Sequence, residues 1–324
     1  MADLLEVRNL KTSFKTDNGT VAVVDGVDFV IHQGETVGIV GESGCGKSVT
    51  SLSIMRLLGT NGQCEGTVRF KGKELLSLSE KEMQHIRGND IAMIFQEPMT
   101  SLNPLHTVGR QIEETLTIHM KLTKKEMKDR AIAMLKLVGM PRAEEIYAEY
   151  PHQLSGGMRQ RVMIAMAMAC DPKLIIADEP TTALDVTIQA QILDLMRDVK
   201  KKTGTSIMLI THDLGVVAEM CDRVIVMYAG NVVEETDVKT LFENPKHPYT
   251  IGLINSTPDI EEEREYLETI PGSVPMSHRM PQGCRFAPRC NQVMDICRIS
   301  PPELLDLDGR KCRCWLYEKR GEEK

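Results

Sequence analysis

A short apolar run, Val37-Gly38-Ile39-Val40, leads straight into Gly41-Glu42-Ser43-Gly44-Cys45-Gly46-Lys47-Ser48. No other segment limits more strongly what the chain can fold into. Glycine, four residues, then Gly-Lys-Ser is the spacing of a phosphate-cradling loop. The glycines let backbone N–H groups wrap phosphate oxygens, and a helix starting near Gly46 aims the positive end of its dipole at them. Lys47 is placed to reach the β- and γ-phosphates, and the Ser48 hydroxyl to ligate Mg2+. With a strand before and a helix after, the pattern predicts an α/β fold that holds a nucleoside triphosphate. Ser43, Gly44, Cys45, Gly46, Lys47, Ser48 and Val49 form the expected cradle.

A second segment fits the same chemistry. Leu174-Ile175-Ile176-Ala177 reads as a buried strand and ends in Asp178-Glu179. Carboxylates at the C-terminal edge of a parallel strand stand where open α/β sheets bind their ligands. Asp178 suits a Mg2+ role, and Glu179 suits a base that orients the attacking water.

Composition narrows the setting. The chain has 324 residues, enough for about two domains, with a net charge of −7 and only 6 Phe, 6 Tyr and 1 Trp. Nucleic-acid binders usually show a basic surface with stacking rings, so no nucleic-acid partner is expected. No apolar run approaches the length of a membrane helix. Asp3 and Glu6 stand where a signal peptide needs positive charge, so a soluble, non-secreted chain is expected.

Periodicity places further elements. Strands are predicted at Ile91–Phe95, Lys173–Ala177, Ser206–Thr211 and Arg223–Tyr228, the last turning at Gly230-Asn231 into a hairpin. Between Phe95 and Lys173 the period becomes helical. Val108, Ile112 and Leu116, then Ala131, Met134, Leu135 and Val138, recur at three-to-four spacing, which predicts a helical insertion.

The end of the chain differs in composition. Five of nine cysteines (Cys284, Cys290, Cys297, Cys312, Cys314) fall in the last 41 residues, and nine of 15 prolines follow residue 244. The expected organisation is therefore a body of residues 1–240 and a small, loop-rich, Cys-rich extension of residues 241–324. In a reducing compartment such a cluster reads first as a metal site.

Leu154-Ser155-Gly156-Gly157-Met158-Arg159-Gln160 alone is only a serine-capped helix start, another anion-binding end. In order with the two earlier motifs it decides the matter. The chain resembles the ATP-binding subunit of an ABC transporter over essentially its whole length. The resemblance implies an ABC-type P-loop NTPase with a RecA-like core, a β-subdomain and a helical insertion at about residues 97–170. Thr181-Thr182-Ala183-Leu184-Asp185 is similar to the D-loop, Gln96 to the Q-loop glutamine that also reaches Mg2+, and His212 to the switch histidine. Phe14 stands near the aromatic that stacks on adenine. Ser155, Gly157 and Gln160 are implied to meet the nucleotide of a second ATPase, because the family works as head-to-tail dimers. Glu179, His212 and Gln96 are the implied catalytic set, with Ser48, Gln96 and Asp178 around Mg2+.

The subfamily also has its marks. Gln96-Glu97-Pro98-Met99-Thr100-Ser101-Leu102-Asn103-Pro104 and Asn244-Pro245-Lys246-His247-Pro248-Tyr249-Thr250 resemble the dipeptide, oligopeptide and nickel importer ATPases. This implies a peripheral subunit on the cytoplasmic face of the membrane. Its implied partners are a second ATPase (a paralogue or itself), two permeases and, indirectly, an extracytoplasmic peptide-binding protein. Peptide is the expected cargo. Nickel import by the same motor, or a soluble non-transport ABC ATPase, are the other readings.

Five residues separate Cys284 from Cys290, six separate Cys290 from Cys297, and sixteen separate Cys297 from Cys314. Structural zinc sites usually pair their ligands more tightly. Four widely spaced thiolates suit a 4Fe-4S cluster, one at each corner, and the resemblance implies the same; zinc and unmetallated thiols remain open. Cys314 matches the family position better than Cys312. Arg285, Arg289, Arg298 and Arg313 lie beside these thiols in sequence and are expected to offset a cluster's negative charge.

Overall fold

The computed structural model describes residues 2–17, 19–96, 101–182, 184–257, 269–276 and 279–318. Glu97, Pro98, Met99 and Thr100 of the expected subfamily segment, and Ala183 of the expected D-loop, lie outside the described residues. The chain opens with β1 (Asp3–Thr16), β2 (Gly19–His32) and β3 (Thr36–Val40), then α1 (Lys47–Ile54), β4 (Gly62–Phe70) and β5 (Lys73–Glu74). Next come α2 (Glu80–Ile86), β6 (Ile91–Ile94), α3 (Val108–His119), α4 (Lys124–Leu137) and α5 (Gly156–Met168). β7 (Leu174–Asp178), α6 (Val186–Thr203), β8 (Ser206–Ile210), α7 (Leu214–Met220), β9 (Arg223–Tyr228) and β10 (Asn231–Asp237) follow. The chain then forms α8 (Val238–Glu243), α9 (Pro248–Asn255), β11 (Leu305–Asp306) and β12 (Lys311–Cys312). No helix among the described residues is long and apolar enough to cross a membrane.

These elements form two compact units that interleave in sequence: residues 1–4, 31–36 and 77–210, and residues 5–30, 37–76 and 211–324. In the first unit β6, β7 and β8 run parallel, with Ile94 opposite Ala177 and Asp178 opposite Ile210. Every residue of β7 and β8 is buried, which is why they read as continuous apolar runs rather than alternating ones. The predicted helical insertion is present. Val108, Ile112, Leu116, Ala131, Met134, Leu135 and Val138 are all buried, so the three-to-four spacing identified the faces that pack. Thr107 and Thr123 cap α3 and α4, the latter in a reciprocal box with Glu126, which satisfies amides that would otherwise lack partners.

In the second unit β2-β1-β4-β5 form a sheet in that order, with β1–β4 and β4–β5 antiparallel. β3 pairs in parallel with β9, and β9 antiparallel with β10. The expected hairpin turns through Ala229 and Gly230, both at positive φ (45° and 85°), which matches the twist that two-residue hairpins require. β10 pairs on its other side with β12, which pairs with β11, so the extension returns to the sheet. One apolar core joins Val40 of β3 and Val224 and Val226 of β9 to Tyr249 and Phe286 of the extension.

Candidate functional site

The phosphate loop emerges from β3, whose five residues are all buried, and closes on α1, where Gly46 is the left-handed N-cap at φ 101°. The first turn of α1 carries no acidic residue, so the positive end of the helix is unopposed. Gly41 has φ 150°, and a Cβ there would lie 2.2 Å from the Met227 carbonyl oxygen and 2.8 Å from Cys45 Sγ. Only glycine lets the loop pass this close to β9. Lys47 is buried, and its Nζ donates to the carbonyls of Gly41 at 2.7 Å and Glu42 at 3.2 Å. Ser43 and Gly44 are exposed at the tip, Ser48 and Val49 are half-buried, and Cys45 is buried behind them. Burial pushes the Cys45 thiol pKa up, so this cysteine is a packing residue rather than a nucleophile. Phe14 is half-buried near the end of β1 opposite Gly62. His212, just after β8, is exposed.

The carboxylates sit in the other unit. Asp178 ends β7 and is buried. Glu179 takes a left-handed backbone (φ 47°), a strained state for a non-glycine residue that is often found at working positions. Its amide donates to the Ile210 carbonyl at 2.9 Å. Gln96 Nε2 donates to Glu179 Oε2 at 3.0 Å, and Thr182 Oγ1 donates to the same oxygen at 2.9 Å. The structure thus brings two predicted residues, Gln96 and Glu179, together and adds Thr182, which sequence reasoning had only as part of a motif.

Ser155 caps α5 by accepting from the Met158 amide, and no acid lies in the first turn. Ser155 and Gly156 are exposed and Gly157 is half-buried, so this helix end is open to a ligand. Gln160, expected among the ligands, is engaged within this chain. It is buried, and its Nε2 donates to the Pro180 carbonyl at 2.6 Å. It therefore props the loop carrying Glu179 rather than facing outward with Ser155. Asp185 caps α6.

In the extension, Cys284, Cys290, Cys297 and Cys314 line one small cavity together with His247, Phe286 and Trp315. Cys312 is not among them. Burial first, then the neighbouring Cys284, Cys290 and Cys297, push the Cys314 thiol up to about 11. Among the described residues no three His, Cys, Asp or Glu side chains are arranged as ligands of one metal ion. The flanking arginines are a correction. Arg285 pairs with Asp25, Arg289 with Glu42, and Arg298 is exposed. Arg313 hydrogen-bonds the Val232 and Pro302 carbonyls, and burial pushes its pKa down. Two of the four are thus committed elsewhere. An acidic residue inside a phosphate loop, Glu42, was the sequence signal that a cation had to meet it.

Two family models match the sequence: ABC transporter over residues 24–182, and the oligopeptide/dipeptide transporter C-terminal region over residues 233–297. The oligopeptide transport ATP-binding protein AppD of Bacillus subtilis is 57% identical, with 100% of this chain and 99% of that protein aligned. The dipeptide transport ATP-binding protein DppD of the same organism is 52% identical over 99% of this chain and 97% of its own length. OppD, the oligopeptide transport ATP-binding protein of Salmonella typhimurium, is 50% identical over 96% and 93%. Among solved structures, the ATP-binding cassette MJ0796, a dimer bound to ADP and Pi, superposes with a TM-score of 0.66 at 30% identity. It covers 72% of this chain and 99% of its own.

Proposed function

The chain belongs to the ABC transporter ATP-binding proteins, ATPases coupled to transport, and from that premise we propose that it powers peptide import through partner permeases. The observation that carries the reading is the length of the match. Peptide-transport relatives align over nearly the entire chain, and the match includes the oligopeptide/dipeptide transporter C-terminal region. Transport of labelled peptides, against nickel, by the chain assembled with its cognate permeases and binding protein is the test. Nickel uptake without peptide uptake would replace the proposal with its alternative.

In this mechanism Lys47 and the loop amides of residues 43–49 hold the phosphates, and Phe14 stacks on the base. Ser48, Gln96 and Asp178 are the residues that would hold Mg2+, whose charge would offset that of the phosphates; Glu179 would orient the attacking water and His212 would contact the γ-phosphate. A second ATPase, bound head to tail, presents its own Ser155 and Gly157 to that phosphate. The exposed, serine-capped start of α5 supports this role, as does the dimeric state of MJ0796. ATP favours the closed dimer, and loss of the γ-phosphate releases it; that difference in affinity is the work delivered.

A groove lined by Ala92, Phe95, Ser101, Thr115, Met163 and Met166 opens beside Gln96. It is proposed to receive a helix of a permease, which sets the chain on the cytoplasmic face of the membrane. Phe95 is 41% exposed there. Phe95→Asp is expected to weaken co-purification with the permeases by about tenfold or more, the usual effect of losing an aromatic anchor. Nucleotide binding by the isolated chain stays unchanged.

The cysteine cavity is proposed to hold a 4Fe-4S cluster on Cys284, Cys290, Cys297 and Cys314. What supports it is the gathering of four thiols on one cavity, where a bound cationic core would be the group that lets thiols deprotonate. When bound, the cluster staples a region with few apolar residues. Protein prepared without oxygen is expected to be brown and to contain iron and sulfide in equal amounts. Colourless protein with stoichiometric zinc would refute this.

A further inference from the structure

Glu42 places a carboxylate in a loop that receives a polyanion, where an uncompensated charge would repel the ligand. Three polar groups of this residue are engaged, and two of them, the amide and the carboxylate, meet residues of the C-terminal extension. Its amide donates to Tyr249 Oη at 2.8 Å. Its carboxylate accepts from Arg289 Nη1 at 2.9 and 3.0 Å. Its carbonyl accepts from Lys47 Nζ. Both extension residues are themselves fixed. The Arg289 side chain is 5% exposed, and it also donates to the carbonyls of Pro271 and Ile270 and to Tyr228 Oη. Tyr249 is fully buried, with ring centroids 4.6 Å from Tyr228 and 5.4 Å from Phe286. His247 caps α9 by accepting the Tyr249 amide at Nδ1, 3.1 Å away. Burial holds its pKa down at about 3, which keeps that nitrogen an acceptor. Glu234, buried in β10, in turn accepts the His247 amide at 2.8 Å.

We propose that Arg289 and Tyr249 are positioning residues for nucleotide binding: the extension grips both the amide and the carboxylate of Glu42, neutralises that charge and holds the phosphate loop in its binding form. Affinity for magnesium nucleotide thereby depends on residues some 200 or more positions away in sequence. The guanidinium serves four acceptor groups at once, a task for which a single ammonium is poorly shaped. The inference rests on the loop being the nucleotide site, but its own content is the contribution of the extension.

The test is calorimetric titration of the full-length chain with Mg-ADP and Mg-ATP. Arg289→Ala is expected to raise Kd by about 10- to 30-fold, since it leaves Glu42 uncompensated at a partly exposed site. Arg289→Gln keeps a donor of similar reach without the charge. It is expected to lose affinity similarly, and it carries the comparison should the alanine variant fold poorly. In the assembled transporter KM for ATP rises while kcat at saturation stays within about twofold, the pattern of lost uniform binding. The double variant Glu42→Gln/Arg289→Ala removes the repulsion as well, and so regains most of the lost affinity. A merely structural arginine would give no such rescue. Binding by Arg289→Gln within twofold of the parent, or a double variant as weak as Arg289→Ala, overturns the proposal. A parent chain that took up no magnesium nucleotide, or a Lys47→Ala variant that bound as well as the parent, would instead sink the assignment of the loop itself, and this inference with it.

Discussion

Replacing Glu179 with glutamine is expected to lower ATP hydrolysis by the assembled transporter by about two to four orders of magnitude, the range lost with a positioned base. Three features concentrate the effect on this side chain. Its strained backbone points it from the end of β7, its amide is tied to Ile210, and Gln96 and Thr182 both donate to one carboxylate oxygen. Glutamine preserves the volume and an acceptor oxygen, so the local packing survives while the negative charge that draws a proton from water is lost. Nucleotide affinity is expected to stay within about threefold, since the base acts in the transition state rather than on the bound ground state. Phosphate release and nucleotide titration on the same preparation check both halves. Near-normal turnover would remove Glu179 from the role of base. Thr182→Ala, which removes one of the two hydrogen bonds, should lower kcat by roughly tenfold or less at unchanged KM.

Gly41→Ala is expected to destabilise the fold by about 3 kcal/mol or more and to abolish nucleotide binding, because backbone strain and steric overlap add there. The new methyl would meet the Met227 carbonyl oxygen at 2.2 Å, a backbone atom of β9 that cannot swing away. Gly72 provides the control. It also has positive φ (77°), but nothing lies within 4 Å of its added Cβ. Gly72→Ala should therefore cost only the left-handed backbone term, about 1 to 2 kcal/mol. Denaturant midpoints of the two variants measure the difference. Equal losses would mean that the contact with β9 contributes nothing.

Much of this molecule can be read from sequence wherever a signal is local. The phosphate loop is a contiguous pattern, the packing faces of α3 and α4 follow from spacing, and β7 and β8 are apolar runs bounded by turns. Long-range contacts leave no such trace. Glu42 and Arg289 lie 247 positions apart, and nothing in the local pattern around Arg289 distinguishes a partner for a carboxylate from a counter-charge for sulfur. Adjacency to Cys290 suggested the latter, and the side chain turns the other way. Gln160 shows the same limit: nothing in the sequence around it signals that its amide bonds the Pro180 carbonyl, 20 positions on. Cys314 is preferred to Cys312 on the resemblance alone, since residues two apart in an extended stretch point to the same side and the local pattern does not separate them. Cys312 is buried in β12 with Glu234 opposite it, whereas Cys314 reaches the shared cavity.

The brief pairing of β12 with β10 shapes how this protein can be shortened. Residues 311–312 cover the outer side of β10, while Arg310 and Lys311 meet the buried carboxylates of Glu234 and Glu235. A chain cut after residue 240 would lose that cover. It would expose a valine-bearing strand with unsatisfied amides, the kind of margin along which separate molecules stick to one another. It would also leave Glu234 in the interior without the cation that meets it, while Glu235 would keep Arg223. Solubility of such a fragment, rather than its catalytic competence, is what the missing segment would first limit.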